Sequence, residues 1–186
     1  MRTEKEKMLA GALYDPFDQQ LSDERRRARL LFKALNETRD DQTEERSRLI
    51  KELIPAAGTD VWIEPPFYCD YGSNIVLGDK VFFNFNCVVL DVAPVRIDSR
   101  VLFGPAVQIY AATHPLSAEE RKTGLELGKG IEIGDDVWIG GDAILCPGIR
   151  IRSRAVIGAG SVVTKDVPEG VFAAGNPCAV LRSIKQ

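Results

Sequence analysis

Beyond residue 130, aliphatic side chains return at every sixth position. Ile133, Ile139, Leu145, Ile151, Ile157 and Val163 form one column, and Ile131, Val137, Ala143, Ile149, Ala155, Ser161 and Val167 form a second column of mostly small or β-branched residues. The first column also runs upstream as Leu77, Phe83 and Val89, then, after a two-residue slip, as Ile97, Phe103 and Ile109. A helix repeats at 3.6 residues and a half-buried strand alternates at two, so neither explains a period of six. A sustained hexad predicts a parallel β-helix, in which each hexad builds one flat side, three sides close a coil, and the aliphatic columns stack inside. Gly134, Gly140 and Gly158 follow the first column, where a corner requires positive φ or close backbone approach. Residues 111–130 break the pattern, yet Ile109 and Ile133 lie 24 residues apart, four periods, so the phase survives. That predicts a loop extruded from the solenoid, the kind of segment that carries binding function on a rigid scaffold.

The first 56 residues follow another rule. Thr3-Glu4-Lys5-Glu6 is a capping-box pattern ahead of Met8, Leu9, Ala12 and Leu13, with Gly11 weakening that helix. Ser22 is placed to cap a second helix, with Leu30, Leu31 and Leu35 on its buried side. Thr43 is placed to cap a third, with Leu49, Ile50, Leu53 and Ile54 buried and its end before Pro55. This segment holds 24 of the 51 charged residues, 12 of each sign, and only Ile50 and Ile54 among Val and Ile; the remainder holds 28 Val or Ile and 15 of 16 glycines. The boundary therefore falls between a helical region, 1–56, and a mainly β solenoid with a C-terminal tail, 57–186. The charge runs Glu24–Arg29 and Glu44–Arg48 read as solvated helix faces.

Charge and composition narrow the chemistry. A formal net charge of −3 gives no reason to expect nucleic acid or an anionic membrane as partner. No run approaches the ~18–20 apolar residues of a membrane span. The charged start Met1–Lys7 lacks a signal core, and Cys69, Cys87, Cys146 and Cys178 are far apart with no C-x-x-C pair, which suits reduced thiols in a cytoplasmic protein. His114 is the single histidine, which argues against a zinc centre. It stands at the lip of the extruded segment. With an unperturbed pKa of about 6.5, a histidine there suits proton transfer at neutral pH.

Specific segments resemble a known family. They are Thr3–Gly11, Cys69-Asp70-Tyr71-Gly72-Ser73-Asn74-Ile75, Asn84-Phe85-Asn86-Cys87, Leu90-Asp91-Val92, Ala112-Thr113-His114-Pro115, Val137-Trp138-Ile139-Gly140-Gly141, Val163-Thr164-Lys165-Asp166-Val167-Pro168 and Gly175-Asn176-Pro177. Together with the hexads they are similar to the hexapeptide-repeat acyltransferases, in particular the maltose and galactoside O-acetyltransferase subgroup, over nearly the whole chain. The resemblance implies left-handed coils, a homotrimer with active sites between subunits, and acetyl-CoA as co-substrate without a metal. It implies direct acetyl transfer to a sugar hydroxyl, at the 6-position of a maltose- or glucose-like acceptor, with His114 as general base and Asn84 beside the thioester and acceptor. It implies acceptor contacts at Arg25, Asp70, Asp91 and Val92, and at Asp15, although Pro16 occupies the matching place. It maps the coenzyme groove to Asn84, Trp138, Gly141, Ala159, Thr164, Lys165 and Arg182, with Ala179 where the family has a second arginine. Two other readings stay open: a same-fold acetyltransferase for another acceptor (a galactoside, serine or a xenobiotic), and a solenoid scaffold without activity. A solenoid carbonic anhydrase requires three histidines per zinc, which one histidine per chain does not supply.

Overall fold

The structure is a computed structural model, described for residues 2–185. Three helices come first: α1, Glu4–Leu9; α2, Gln19–Asn36; and α3, Thr43–Leu53. Short strands begin at Ala56–Ala57 and continue to Ala179–Ser183. They stack into three sheets of five, seven and five strands, one for each side of a prism. Within the sheets the coils pair in parallel; only the last strand, Ala179–Ser183, runs antiparallel, folding back on Val171–Ala174.

The hexads account for this register. Ile133 pairs with Ile151, Ile139 with Ile157, and Leu145 with Val163, in each case eighteen residues on, or three hexads. Both aliphatic columns are buried from end to end. The extruded segment leaves the phase intact because it adds whole hexads. Ile133, Ile139 and Leu145 also pair with Ile97, Phe103 and Ile109, each thirty-six residues back, so the insertion equals one extra coil's worth of chain.

At the corners, close approach is the one of the two expected reasons for glycine that applies. Gly134, Gly140 and Gly158 do not hold positive φ; they are glycine because a Cβ there would lie 2.5–2.8 Å from the next coil. Left-handed residues sit two positions further on, and most are not glycine: Asp136, Asp142 and Arg154 follow the six-residue period, as do Gly148 and Gly160. An exposed Asp or Asn tolerates this conformation at small cost, so the corner can be polar rather than flexible.

The N-terminal helices also depart in detail. Thr3 and Glu6 form the expected capping box, but of the predicted stripe only Met8 is buried. Gly11 lies beyond the helix with φ 70°, where it ends the helix rather than weakening it. Asp18, not Ser22, caps α2, and its buried side is Leu21, Ala28 and Leu35, with Leu30 exposed. Thr43 is the first residue of α3 and provides no side-chain cap; the four apolar residues expected on that helix are buried. The run Glu44–Arg48 is not wholly a solvated face. Arg46 is 2% exposed, lies 5.0 Å from the Trp62 ring, and is held by Thr38, Glu64 and Asp40. A guanidinium tolerates such burial because each edge finds an acceptor and its plane finds an aromatic face. No helix among the described residues is long and apolar enough to cross a membrane.

Candidate active site

The prism has two edges flanking one side, and the candidate residues divide between them. That side is built by Phe67–Cys69, Cys87–Leu90, Gln108–Tyr110, Ile144–Leu145 and Val162–Val163. The chain enters it past one edge, which carries Asn84, then, beyond the coil of Gly104, Gly141 and Ala159 on the next two coils. The chain leaves it past the other edge, which carries Asp70, Asp91, the extruded segment with His114, and Thr164-Lys165. Trp138 and Arg182 stand on the neighbouring side, in one ladder through Val156 and Phe172, with the Arg182 guanidinium 5.5 Å from the Phe172 ring. One chain therefore divides the residues expected to hold the coenzyme between the two edges and the neighbouring side.

At the first edge, Asn84 is half-buried. Its backbone N–H donates to Phe103, and its Oδ1 accepts from the Phe85 N–H at 2.8 Å. That fixes the amide plane. Gly141 and Ala159 lie where coils nearly touch: a Cβ on Gly140 would stand 2.5 Å from the Ala159 nitrogen. At the second edge, Thr164 and Lys165 line a cavity of about 410 Å³ with Val167, Cys178, Ala179 and Val180.

His114 is exposed and follows the strand Ala112–Thr113, which pairs antiparallel with Leu127–Gly128 at the root of the loop. Thr113 faces Leu127, and beyond that pair the two arms of the loop continue with His114 on one and Glu126 on the other. Glu126 lines a second cavity of about 270 Å³, with Tyr14, Phe17, Arg25, Arg29, Asp70 and Tyr71. Arg25 Nη1 donates to the Tyr71 hydroxyl at 2.7 Å and lies 5.7 Å from that ring. The Tyr14 hydroxyl donates to Glu126 at 3.0 Å. Burial raises the Asp70 carboxyl above its ordinary pKa, Arg25 pulls it down, and Glu126 pushes it up.

Arg25, Asp70 and Val92 thus meet in one cavity; the other two expected acceptor contacts, Asp15 and Asp91, do not line it. Asp15 is exposed and turns its Oδ1 back onto the Phe17 N–H at 2.8 Å, while the neighbouring Pro16 lines the cavity. Asp91 is fully buried and does not line the cavity. Its Oδ1 accepts the N–H groups of Asp70 and Tyr71 at 3.0 and 2.9 Å, and its Oδ2 accepts that of Asn74 at 3.3 Å. The sequence shows a carboxylate in the right neighbourhood; the fold spends it on holding the turn that presents Asp70. Val92, beside it, does line the cavity. Arg29, Tyr71 and Glu126 were missed. For Glu126 the alternation Leu125-Glu126-Leu127 was a strand signal within the loop.

Asp91 offers a test of this structural role. Burial lifts its pKa to about 6, against the three backbone N–H bonds and with repulsion from Asp70 added. Unfolded, it titrates near ~3.9. Below that value both states hold the proton; between the two values only the folded state does. The carboxyl's contribution to stability is thus fullest below about pH 4 and is lost as pH rises through about 6. Denaturant titrations should show wild type losing stability relative to Asp91→Asn between pH 4 and 7, by on the order of 3 kcal/mol. A difference that stays flat over this range would count against the assignment.

Comparison with known proteins identifies the lineage. Residues 7–58 match the maltose acetyltransferase hexapeptide capping motif, and residues 130–165 match the bacterial transferase hexapeptide of six repeats. The crystal structure of a maltose O-acetyltransferase from Clostridium difficile 630 superposes with a TM-score of 0.98 at 44% identity, covering 100% of this chain and 99% of that one. The chain belongs to the hexapeptide-repeat acetyltransferases. The galactoside O-acetyltransferase of Escherichia coli K12 is 41% identical over 179 residues, 96% of this chain and 88% of that protein. A hexapeptide-repeat acetyltransferase of Vibrio cholerae O1 biovar eltor, crystallised with acetyl coenzyme A, gives a TM-score of 0.92 at 39% identity with full coverage of both chains. As a hexapeptide-repeat acetyltransferase, the chain is an acyltransferase. Among its described residues no three His, Cys, Asp or Glu side chains converge as a metal-holding group.

Proposed function

We propose that this cytoplasmic acetyltransferase moves the acetyl group of acetyl-CoA onto a sugar hydroxyl, the 6-hydroxyl of a maltose- or glucose-like acceptor. His114 takes the hydroxyl proton as the oxygen attacks the thioester carbonyl. The C–O bond forms, the C–S bond breaks, and the proton passes to the departing sulfur. Direct transfer of this kind needs a base and two adjoining binding sites but no acyl-enzyme. The observation that supports the reading is the loop root, the strand pair of Ala112–Thr113 with Leu127–Gly128, beyond which His114 starts one arm of the loop and Glu126, which lines the Arg25–Asp70 cavity, ends the other. That cavity offers two carboxylates and two guanidiniums, a balance that suits an uncharged ligand rich in hydroxyls.

The division of residues between two edges supports a homotrimer. Two sides of the prism present apolar ladders outward, among them Phe82, Leu102 and Trp138 on one and Val88, Ile144 and Val162 on the other; Leu102 and Trp138 are 49% and 54% exposed. The third side presents Arg96, Glu132 and Arg150 and suits water. In the proposed trimer the copies pack through these apolar sides, and His114 of one chain works with coenzyme-binding groups of its neighbour. The acetyl-CoA arm then runs in the cleft, past Gly141 and Ala159 of one subunit and towards Lys165 for phosphate charge.

The test is an acceptor survey with purified protein and acetyl-CoA, following coenzyme thiol release. Maltose and glucose should support turnover well above acceptor-free hydrolysis, with galactosides weaker and chloramphenicol and serine at background. No sugar exceeding background would overturn the reading, and light scattering at monomer mass would overturn the trimer.

A further inference from the structure

The extruded loop carries the proposed base, so what holds the loop matters to the chemistry. Of the hydrogen bonds made by residues 114–126 among the described residues, those that leave the segment all go to Tyr14. The Tyr14 N–H donates to the Glu126 carbonyl at 3.0 Å, the Glu126 N–H donates back at 3.1 Å, and the Tyr14 hydroxyl donates to Glu126 Oε2 at 3.0 Å. Elsewhere the loop's bonds are internal, as in Arg121 to the carbonyls of Pro115 and Leu116. Its root is a strand pair of two residues each, too short to be rigid alone. Close contact reinforces the attachment, for a Cβ on Gly11 would lie 3.1 Å from the Gly128 carbonyl oxygen. Tyr14 is 1% exposed, so its bond to Glu126 does not compete with bulk water.

Glu126 has two audiences. One carboxylate oxygen is held by Tyr14, and the other has no hydrogen-bond partner among the described residues, while the side chain lines the acceptor cavity. Glu126 and His114 are the first residues beyond the strand pair at the loop root, one on each arm. We propose that Tyr14 and Glu126 form a latch that makes acceptor binding and placement of His114 a single event. An acceptor hydroxyl that donates to the open oxygen of Glu126 tightens the strand pair carrying the base. Tyr14 and Glu126 are then positioning residues, and the ligand they select is a neutral polyol whose hydroxyls reach both Glu126 and Asp70. This rests on the acetyl-transfer reading above.

Three variants test it: Tyr14→Phe, which removes only the hydroxyl; Glu126→Ala, which removes the carboxylate; and Glu126→Gln, whose amide oxygen still accepts from Tyr14. Steady-state kinetics with maltose should show kcat/KM for the acceptor falling roughly tenfold in Tyr14→Phe and more in Glu126→Ala, with KM for acetyl-CoA unchanged. Glu126→Gln should recover part of the loss. Hydrogen exchange by mass spectrometry, without substrate, should show peptides within 114–126 exchanging faster in Tyr14→Phe and Glu126→Ala, with the solenoid unchanged. Unaltered exchange in Tyr14→Phe, or equal changes in KM for both substrates, would overturn the latch. Should the wild-type protein transfer no acetyl group, the acetyl-transfer reading falls, and the exchange rates alone decide the latch.

Discussion

Replacing His114 with alanine is expected to lower acetyl transfer at least a hundredfold and to leave the fold intact. A positioned general base contributes roughly 10²–10⁴ in rate, and a sugar hydroxyl without one is a weak nucleophile towards a thioester. His114 is the one imidazole in the chain, so no second histidine can substitute. It is exposed and makes no side-chain hydrogen bond to the described residues, so its loss leaves no buried group unpaired and opens no cavity. Thermal unfolding and acetyl-CoA binding by calorimetry should therefore match wild type while kcat collapses. Turnover near the wild-type rate would remove His114 from the mechanism, and a matching loss of melting temperature would make the residue structural.

The solenoid was legible because its information is repeated. Each of Ile133, Ile139, Leu145, Ile151, Ile157 and Val163 occupies the same environment one side further on, so the period itself reports the architecture. The loop was legible for the converse reason, as the place where repetition stops without losing phase. What escaped was whatever depends on contact between segments that do not repeat. Tyr14 and Glu126 meet across 112 residues, and nothing in either neighbourhood announces the other. Arg46 looked like part of a solvated charge run because its partners, Trp62 and Glu64, lie in the first coil. Asp91 and Asp70 are both carboxylates at the same edge, and composition cannot tell which one faces the cavity and which one faces backbone amides. At the corners the sequence left two reasons for glycine open; coil-to-coil distance demands it, and solvent exposure lets Asp or Arg take the left-handed turn.

The largest effect on stability is expected at Phe83→Ala. Phe83 is the member of the first column where three rings meet: it stacks on Phe103 with centroids 4.3 Å apart and planes 6° from parallel, and meets Phe67 edge-on at 5.5 Å. All three are 1% exposed or less, and successive coils fix their positions through Phe83–Phe103 backbone pairing. Truncating a ring in such a stack removes its transfer energy and leaves a void that strand spacing of about 4.8 Å cannot close, so the cost belongs at roughly 3–5 kcal/mol. Urea titration of the assembled protein should show that loss as a lower midpoint. The same substitution reaches the chemistry, because the next residue is Asn84, whose N–H is held by the Phe103 carbonyl at 3.0 Å. If that edge forms half of the acetyl-transfer cleft, slackening the stack should raise KM for acetyl-CoA at temperatures where the variant is still folded. A variant that loses stability yet binds the coenzyme as wild type does would separate the core from the cleft and place Asn84 outside it.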